Sequence, residues 1–239
     1  MSKGQQTRER ILAHSAQLFN RQGYSGASLA DIMRETGLEK GGIYNHFASK
    51  EQLALESFDY AYELVARRMR QALNGTFGAI ERLQVMVSVF LRHVEDPLVA
   101  GGCPILNTAI EADDANEPLR QRAQQAMDNL RVATIGRIVQ RGIERGEIRP
   151  DVDADEVASI LVSLFEGALM LSNLYKNPIH MQRAAEYGLR YIETLRSGRE
   201  EGQGVSAPGQ ISVPGPSQAA RKSEALPPDL DRDMPCPSD

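Results

Sequence analysis

The sequence predicts an all-α protein in which an N-terminal three-helix helix-turn-helix domain is followed by a helical bundle. Three observations predict it. Apolar residues recur at three- and four-residue steps along most of the chain, glycines and prolines break those stripes at short intervals, and no run alternates with the two-residue period of a strand.

The elements follow in order. From Thr7, Ile11, Leu12, Leu18 and Phe19 form a one-sided stripe, and a first helix ends before Gly23. Ser28 caps a second helix, with Asp31 three residues later near its positive end and Leu29, Ile32 and Met33 on its buried face. Gly37 closes that helix. A short third helix sets Ile43 and Phe47 four apart as core residues, and Ser49-Lys50-Glu51-Gln52 supplies a capping box for a fourth. The fourth runs through Leu53, Leu55, Phe58, Tyr62, Val65 and Met69 to about Leu73, linking head to body.

Beyond Gly75, helical stripes are separated by breaks at Asp96-Pro97, Gly101-Gly102, Asn116-Glu117-Pro118 and Gly146 to Val152. Asp153 and Glu156 open a helix that is apolar nearly all round from Val157 to Leu171 and must be covered on several sides. After Pro178 a last helix places Ala184, Gly188, Tyr191, Ile192 and Leu195 at three- and four-residue steps, a pattern that implies close helix contact. From Glu200 onward seven prolines and four glycines occur without one aromatic residue, so that stretch is read as disordered. The organisation expected is a head at 1–52, a body at 53–199 and a tail at 200–239.

Composition excludes several classes. Cys103 and Cys236 make neither a disulfide framework nor a zinc spacing, and no metal or cofactor is expected. The N-terminus lacks the apolar core of a signal peptide. Val157 to Leu171, interrupted by Ser159, Ser163 and Glu166, is shorter than the roughly 20 apolar residues that cross a bilayer. A cytoplasmic protein without a membrane span is expected. The four histidines are scattered, no nucleophile motif or phosphate-cradling loop occurs, and Asp113-Asp114 reads as a solvated helix end, so no catalysis is expected. Net charge is -5, yet residues 1–50 carry seven basic side chains against four acidic ones. That asymmetry suits a small DNA-contacting head on an acidic body.

Three short helices with a glycine turn between the second and third describe a helix-turn-helix, whose third helix enters the major groove. Residues 7–53 also resemble the DNA-binding domain of the tetracycline-repressor (TetR) family. The resemblance rests on Thr7-Arg8-Glu9-Arg10-Ile11-Leu12, Leu18-Phe19 with Gly23-Tyr24, Ser28-Leu29-Ala30-Asp31-Ile32, Gly37-Leu38, Gly42-Ile43-Tyr44-Asn45-His46-Phe47 and Lys50-Glu51-Gln52-Leu53.

The resemblance implies a ligand-responsive repressor that binds a palindromic operator in double-stranded DNA as a homodimer and is released by a small-molecule inducer. It assigns Lys40, Gly41 and Gly42 to base-edge approach, with Lys40 equally suited to a guanine edge or a phosphate. Ser28 with Leu29 at the second helix's start, and Tyr44, His46 and Lys50, match phosphate-binding positions; Asn45 reaches a base or a phosphate. The helices near 154–175 and 179–197 are expected to pair two subunits. Gly101 to Asn107 resembles a segment found in a branch that includes electrophile sensors. Cys103 there is a reactive sensor or, the favoured reading, a small buried hydrophobe. Other ligand-contact candidates are Met86, Phe90, Asn107, Met127, Phe165, Glu166, Met170 and Tyr175. A helical interaction scaffold without DNA activity, or an activator on the same fold, are the competing readings; the scaffold leaves Lys40 to Lys50 without a purpose.

Overall fold

A computed structural model describes residues 2–112 and 116–198. The tail expected at 200–239, Cys236 and the Asp113-Asp114 pair lie outside the described residues.

The first helix, α1 (Lys3–Gly26), starts four residues before the apolar stripe, because Ser2 and Gln5 form a reciprocal capping box. Its helical geometry breaks at Gly23, whose φ of 78° lies in the left-handed region that side chains disfavour. α2 (Leu29–Thr36) begins on the Ser28–Asp31 capping box and ends at the left-handed Gly37. α3 (Lys40–Tyr44) is a single short helix, and α4 (Lys50–Leu73) is capped by the Ser49 hydroxyl accepting from the Gln52 amide. Gln52 does not return the bond to Ser49; its side-chain oxygen accepts the Ala48 amide, so half of the expected box forms. The expected boundary after residue 52 falls inside α4.

The head core joins Ile11, Leu18, Ala27, Ile32, Ile43, Phe47 and Leu53, with Leu12, Phe19, Leu29, Met33 and Leu38 packed around it. Ile43 and Phe47 are both almost fully buried. Burying such side chains stabilises the head by about 1.5–3 kcal/mol each, which is what holds α2 and α3, two short helices that would not persist alone.

The body continues with α5 (Ala79–Glu95), α6 (Pro104–Ala112), α7 (Glu117–Leu130), a π-helical segment (Arg131–Gly136), α8 (Arg137–Glu144), α9 (Ala154–Tyr175) and α10 (Ile179–Thr194). Among the described residues the only β pairing is an isolated bridge between Ile148 and Arg196. The π-helical segment carries no periodicity signal and is a finding of the structure alone.

α9 is 22 residues long, exceeding the interrupted apolar run, and by length and composition it is sufficient to cross a bilayer. Half of its most apolar stretch is instead buried inside the protein. Phe165 packs on Phe90 of α5 with ring centroids 5.0 Å apart, and Gly188 of α10 abuts the tip of the Phe165 ring. A Cβ at Gly188 would lie 2.8 Å from the Phe165 ring, so the small residue admits the close approach. The Ala184 and Gly188 stripe is therefore consumed within the chain. The apolar residues left facing outward are Ile160, Met170, Leu174 and Tyr175 on α9, and Tyr187 and Leu189 on α10.

Candidate functional site

The head presents its third helix on one side. Lys40, Gly41, Tyr44 and Asn45 are exposed and Gly42 and His46 are half-buried, whereas Ile43 points inward. Neither glycine has a positive φ. A Cβ at Gly41 would meet nothing within 4 Å, and one at Gly42 only ordinary contact with Leu38 at 3.6 Å. Two adjacent glycines cost a helix about 0.5–1 kcal/mol each relative to alanine. The fold requires neither of them.

The polar groups around this surface are not all free. Ser28 Oγ accepts the Asp31 amide at 3.1 Å and donates to the Asp31 carboxylate at 2.6 Å. The Ser28 hydroxyl and amide, with Arg34, hold the Asp31 carboxyl down to about 2. Its hydroxyl proton is thus committed to the cap. Leu29 packs its side chain on the head core, and its amide is among the first-turn donors a helix leaves unpaired. Lys50 Nζ donates to the Tyr24 carbonyl at 2.6 Å and lies 4.4 Å from the centre of the Tyr24 ring. Lys40 Nζ stands over the Tyr44 ring at 5.8 Å.

The body holds an apolar cavity of about 430 Å3 between α4, α5, the start of α6, α9 and the π-helical segment. Of the ligand-contact candidates, Phe90, Cys103 and Glu166 line it together. Met86 and Phe165 are buried in the surrounding core, and Met127 packs against that core half-buried. Asn107, Met170 and Tyr175 lie elsewhere: Asn107 donates to the Asn20 backbone and side-chain oxygens, and the other two are exposed. Sequence reasoning missed Tyr62, Met69 and His93, which also line the cavity. For Tyr62 and Met69 the signal was their place on the inner stripe of α4. For His93 it was a histidine in the otherwise apolar stripe of α5.

Glu166 is buried and neither carboxylate oxygen has a full hydrogen bond; the adjacent Cys103 thiol is only a weak donor. Burial pushes the Glu166 carboxyl up. Burial, then the Glu166 charge, push the Cys103 thiol far above its usual range, so it is not held as a thiolate. Burial also lowers His93, whose Nε2 is unpartnered. The cavity thus offers apolar walls with two polar points that lack partners, the usual make-up of a small-molecule site.

Cavity and head are joined by hydrogen bonds. Cys103 and Ile105 line the cavity at the start of α6, and at its far end Glu111 accepts the amides of Tyr24 and Ser25 at 2.7 and 2.8 Å. The preceding loop is bonded to α1 as well. Asn20 donates to the Ala100 and Gly102 carbonyls, Gln17 donates to the Leu98 carbonyl, and the Ala100 amide donates back to Gln17.

Comparison with known proteins agrees with both halves. Residues 11–56 match the family model of bacterial regulatory proteins, tetR family, and residues 79–187 match that of the tetracyclin repressor-like C-terminal domain. The crystal structure of a TetR transcriptional regulator from Chloroflexus aurantiacus J-10-FL is 48% identical, with a TM-score of 0.79 over 82% of this chain and 99% of that one. The uncharacterised HTH-type transcriptional regulator YxaF of Bacillus subtilis is 27% identical over 72% of this chain and 89% of its own length. The HTH-type transcriptional repressor DhaR of Mycobacterium sp. strain GP1 is 25% identical over 71% of this chain and 84% of its own length. A DNA-reading helix-turn-helix head, an all-helical body with an apolar cavity, and these matches together establish that the chain belongs to the TetR family of DNA-binding transcriptional regulators.

Proposed function

We propose that this chain is a cytoplasmic, homodimeric repressor that reads a palindromic operator through α3 and is released when a small molecule fills the body cavity. The observation that carries the DNA-reading face is the Gly41-Gly42 pair, which the fold does not need and which a duplex approaching α3 does. With no Cβ in the way, the backbone of α3 approaches base edges while Lys40 reaches a guanine edge or a phosphate. Tyr44, His46 and Lys50 anchor phosphates, with first-turn amides of α2, Leu29 among them, beside Ser28. Asn45, exposed at the end of α3, serves either purpose.

Two subunits pair through α9 and α10, across the outward apolar residues Ile160, Met170, Leu174 and Tyr187, so that two heads meet half-sites about 34–36 Å apart. An inducer in the cavity acts on the start of α6, and the bonds from Glu111 and from the 98–102 loop carry the displacement to α1. The inducer must prefer the conformation in which the heads are wrongly spaced, so operator and inducer weaken each other's binding equally.

The test uses Gly41→Leu. Nothing in the protein crowds that position, so the variant should melt at or above the wild-type temperature and sediment as the same dimer. It should nonetheless lose the mobility shift that wild type gives with its own upstream region. Wild-type affinity in the variant would remove α3 from the interface.

A further inference from the structure

A second void lies against the ligand cavity and has the opposite character. It is a cleft of about 710 Å3 between the end of α4, the start of α5 and α8, lined by Arg67, Arg70, Arg82, Arg137, Arg141 and Arg145 and by no carboxylate. This concentration runs against the trend of the chain, whose residues beyond 50 sum to a negative charge. Only Arg70 has a close acidic partner, Glu63 at 2.6 Å. Arg67 reaches the same carboxylate at 3.8 Å, and Arg145 reaches Glu147 at 3.9 Å. Arg82 is held in place by the Leu73 and Thr76 carbonyls at 3.2 and 2.8 Å. The Arg137 and Arg141 guanidinium groups have no partner among the described residues. Six guanidinium forks thus surround one cleft, two of them, Arg137 and Arg141, without a partner among the described residues and two more, Arg67 and Arg145, paired only at 3.8 and 3.9 Å, and such forks match the spacing of phosphate oxygens.

The DNA surface does not account for the cluster. Lys50 and Arg70 are twenty residues apart on one continuous helix, roughly 30 Å along its axis, so these arginines stand at the end of α4 remote from the head. The ligand cavity is much nearer. It shares Arg70, Leu73, Ala133 and Thr134 with the cleft, so the two voids adjoin along these residues. Glu166 lines only the cavity, and of the six arginines only Arg70 also lines that inner space.

We propose that the arginine cleft holds the phosphate headgroup of an amphiphilic ligand whose apolar part occupies the adjoining cavity. The polarity is fixed by the charges: phosphate against the arginines of α4, α5 and α8, apolar chain toward Phe90 and Leu169. The proposal rests on the reading of the cavity as the inducer site, and it adds the chemical class of the inducer.

Titration calorimetry of the full chain with decyl phosphate, decyl alcohol and inorganic pyrophosphate tests it. Decyl phosphate should bind wild type roughly tenfold or more tightly than either of the others, as expected for two or three charge-assisted contacts added to apolar burial. Its affinity should fall with added salt while that of decyl alcohol does not. In the Arg137→Ala, Arg141→Ala double variant the preference over decyl alcohol should vanish, with operator binding unchanged. Decyl alcohol and decyl phosphate binding wild type equally would overturn the proposal and leave the cavity as an apolar ligand site. Pyrophosphate binding as tightly as decyl phosphate would overturn it by making the cleft an independent anion site. Failure of both decyl compounds to bind would overturn this proposal and the cavity reading together. Weakened operator binding in the double variant would overturn it by assigning the arginines to DNA. Should the double variant melt early, the salt dependence in wild type decides alone.

Discussion

Replacing Glu111 by alanine isolates the contact through which α6 holds the end of α1. The carboxylate accepts the Tyr24 amide at 2.7 Å and the Ser25 amide at 2.8 Å, directly after the left-handed Gly23. A hydrogen bond to a charged group contributes about 1.5–3 kcal/mol when its loss leaves a buried donor bare. Ser25 is exposed and Tyr24 half-buried, so water replaces the carboxylate and the loss shrinks to about 1 kcal/mol for the pair. That energy corresponds to about a fivefold change in a local opening equilibrium. Hydrogen–deuterium exchange of a peptide covering 20–27 should therefore quicken about fivefold in Glu111→Ala, with the interior of α4 unchanged. Operator affinity should fall by up to the same factor, because a looser head has to be ordered on the duplex. Glu111→Gln should not restore either quantity fully, since one of its two acceptors becomes a donor facing an N–H. Wild-type exchange at Tyr24 and Ser25 in Glu111→Ala would refute the reasoning.

Three further outcomes are expected. Lys50→Ala should flatten the log–log salt dependence of operator binding by about 0.9 per subunit; a lower melting temperature with unaltered slope would make Lys50 a brace for the Tyr24 carbonyl instead. Because burial raises the Glu166 carboxyl in the folded chain, its proton is held there while the unfolded chain ionises near the ordinary 4.5. Wild-type stability should then decline as pH climbs from that value through the raised one, whereas Glu166→Gln escapes the decline. Urea unfolding at pH 4 and pH 7.5 should show the variant gaining on wild type only at the higher pH, and parallel behaviour would refute it. Gly188→Ala gains about 0.5–1 kcal/mol of helix propensity but forces a methyl against Phe165, an overpacking cost of about 1–3 kcal/mol. A net loss of about 1 kcal/mol should lower the melting temperature by roughly 2–4 °C, and an unchanged or higher value would show that the Phe165 ring yields freely.

Local chemistry was legible in the sequence wherever the chain itself supplies both partners. Ser28 with Asp31, Gly37, and the breaks at 96–102 and 146–152 needed only near neighbours to be read. The start of α1 was legible in principle, since Ser2 and Gln5 have capping-box spacing, but its first turns bury nothing and so show no stripe. Periodicity identified the residues sharing a face and left the partner of that face undetermined. Ala184 and Gly188 share a face, yet both are turned into this chain's own core, with Gly188 against Phe165. Phe90, Cys103 and Glu166 converge on one cavity, whereas Asn107 and Tyr175, equally plausible on their own helices, face away from it. The arginine cleft was invisible for the same reason: its six members are spread from residue 67 to residue 145 and meet only in the folded body.

The way α1 is held also limits what can be done with the head as a part. Its side chains and amides from Gln17 to Ser25 are hydrogen-bonded to residues 98–111. A chimaera that transplants residues 1–52 onto another regulator's body, to rewire which effector controls which promoter, severs every one of those bonds at once. If those bonds carry the proposed coupling, such a hybrid should keep operator recognition and lose its response to an effector, unless the recipient supplies an acceptor in place of Glu111 and backbone groups in place of Leu98, Ala100 and Gly102. The transferable unit is the head together with the 98–111 stretch, two pieces far apart in sequence that form a single joint.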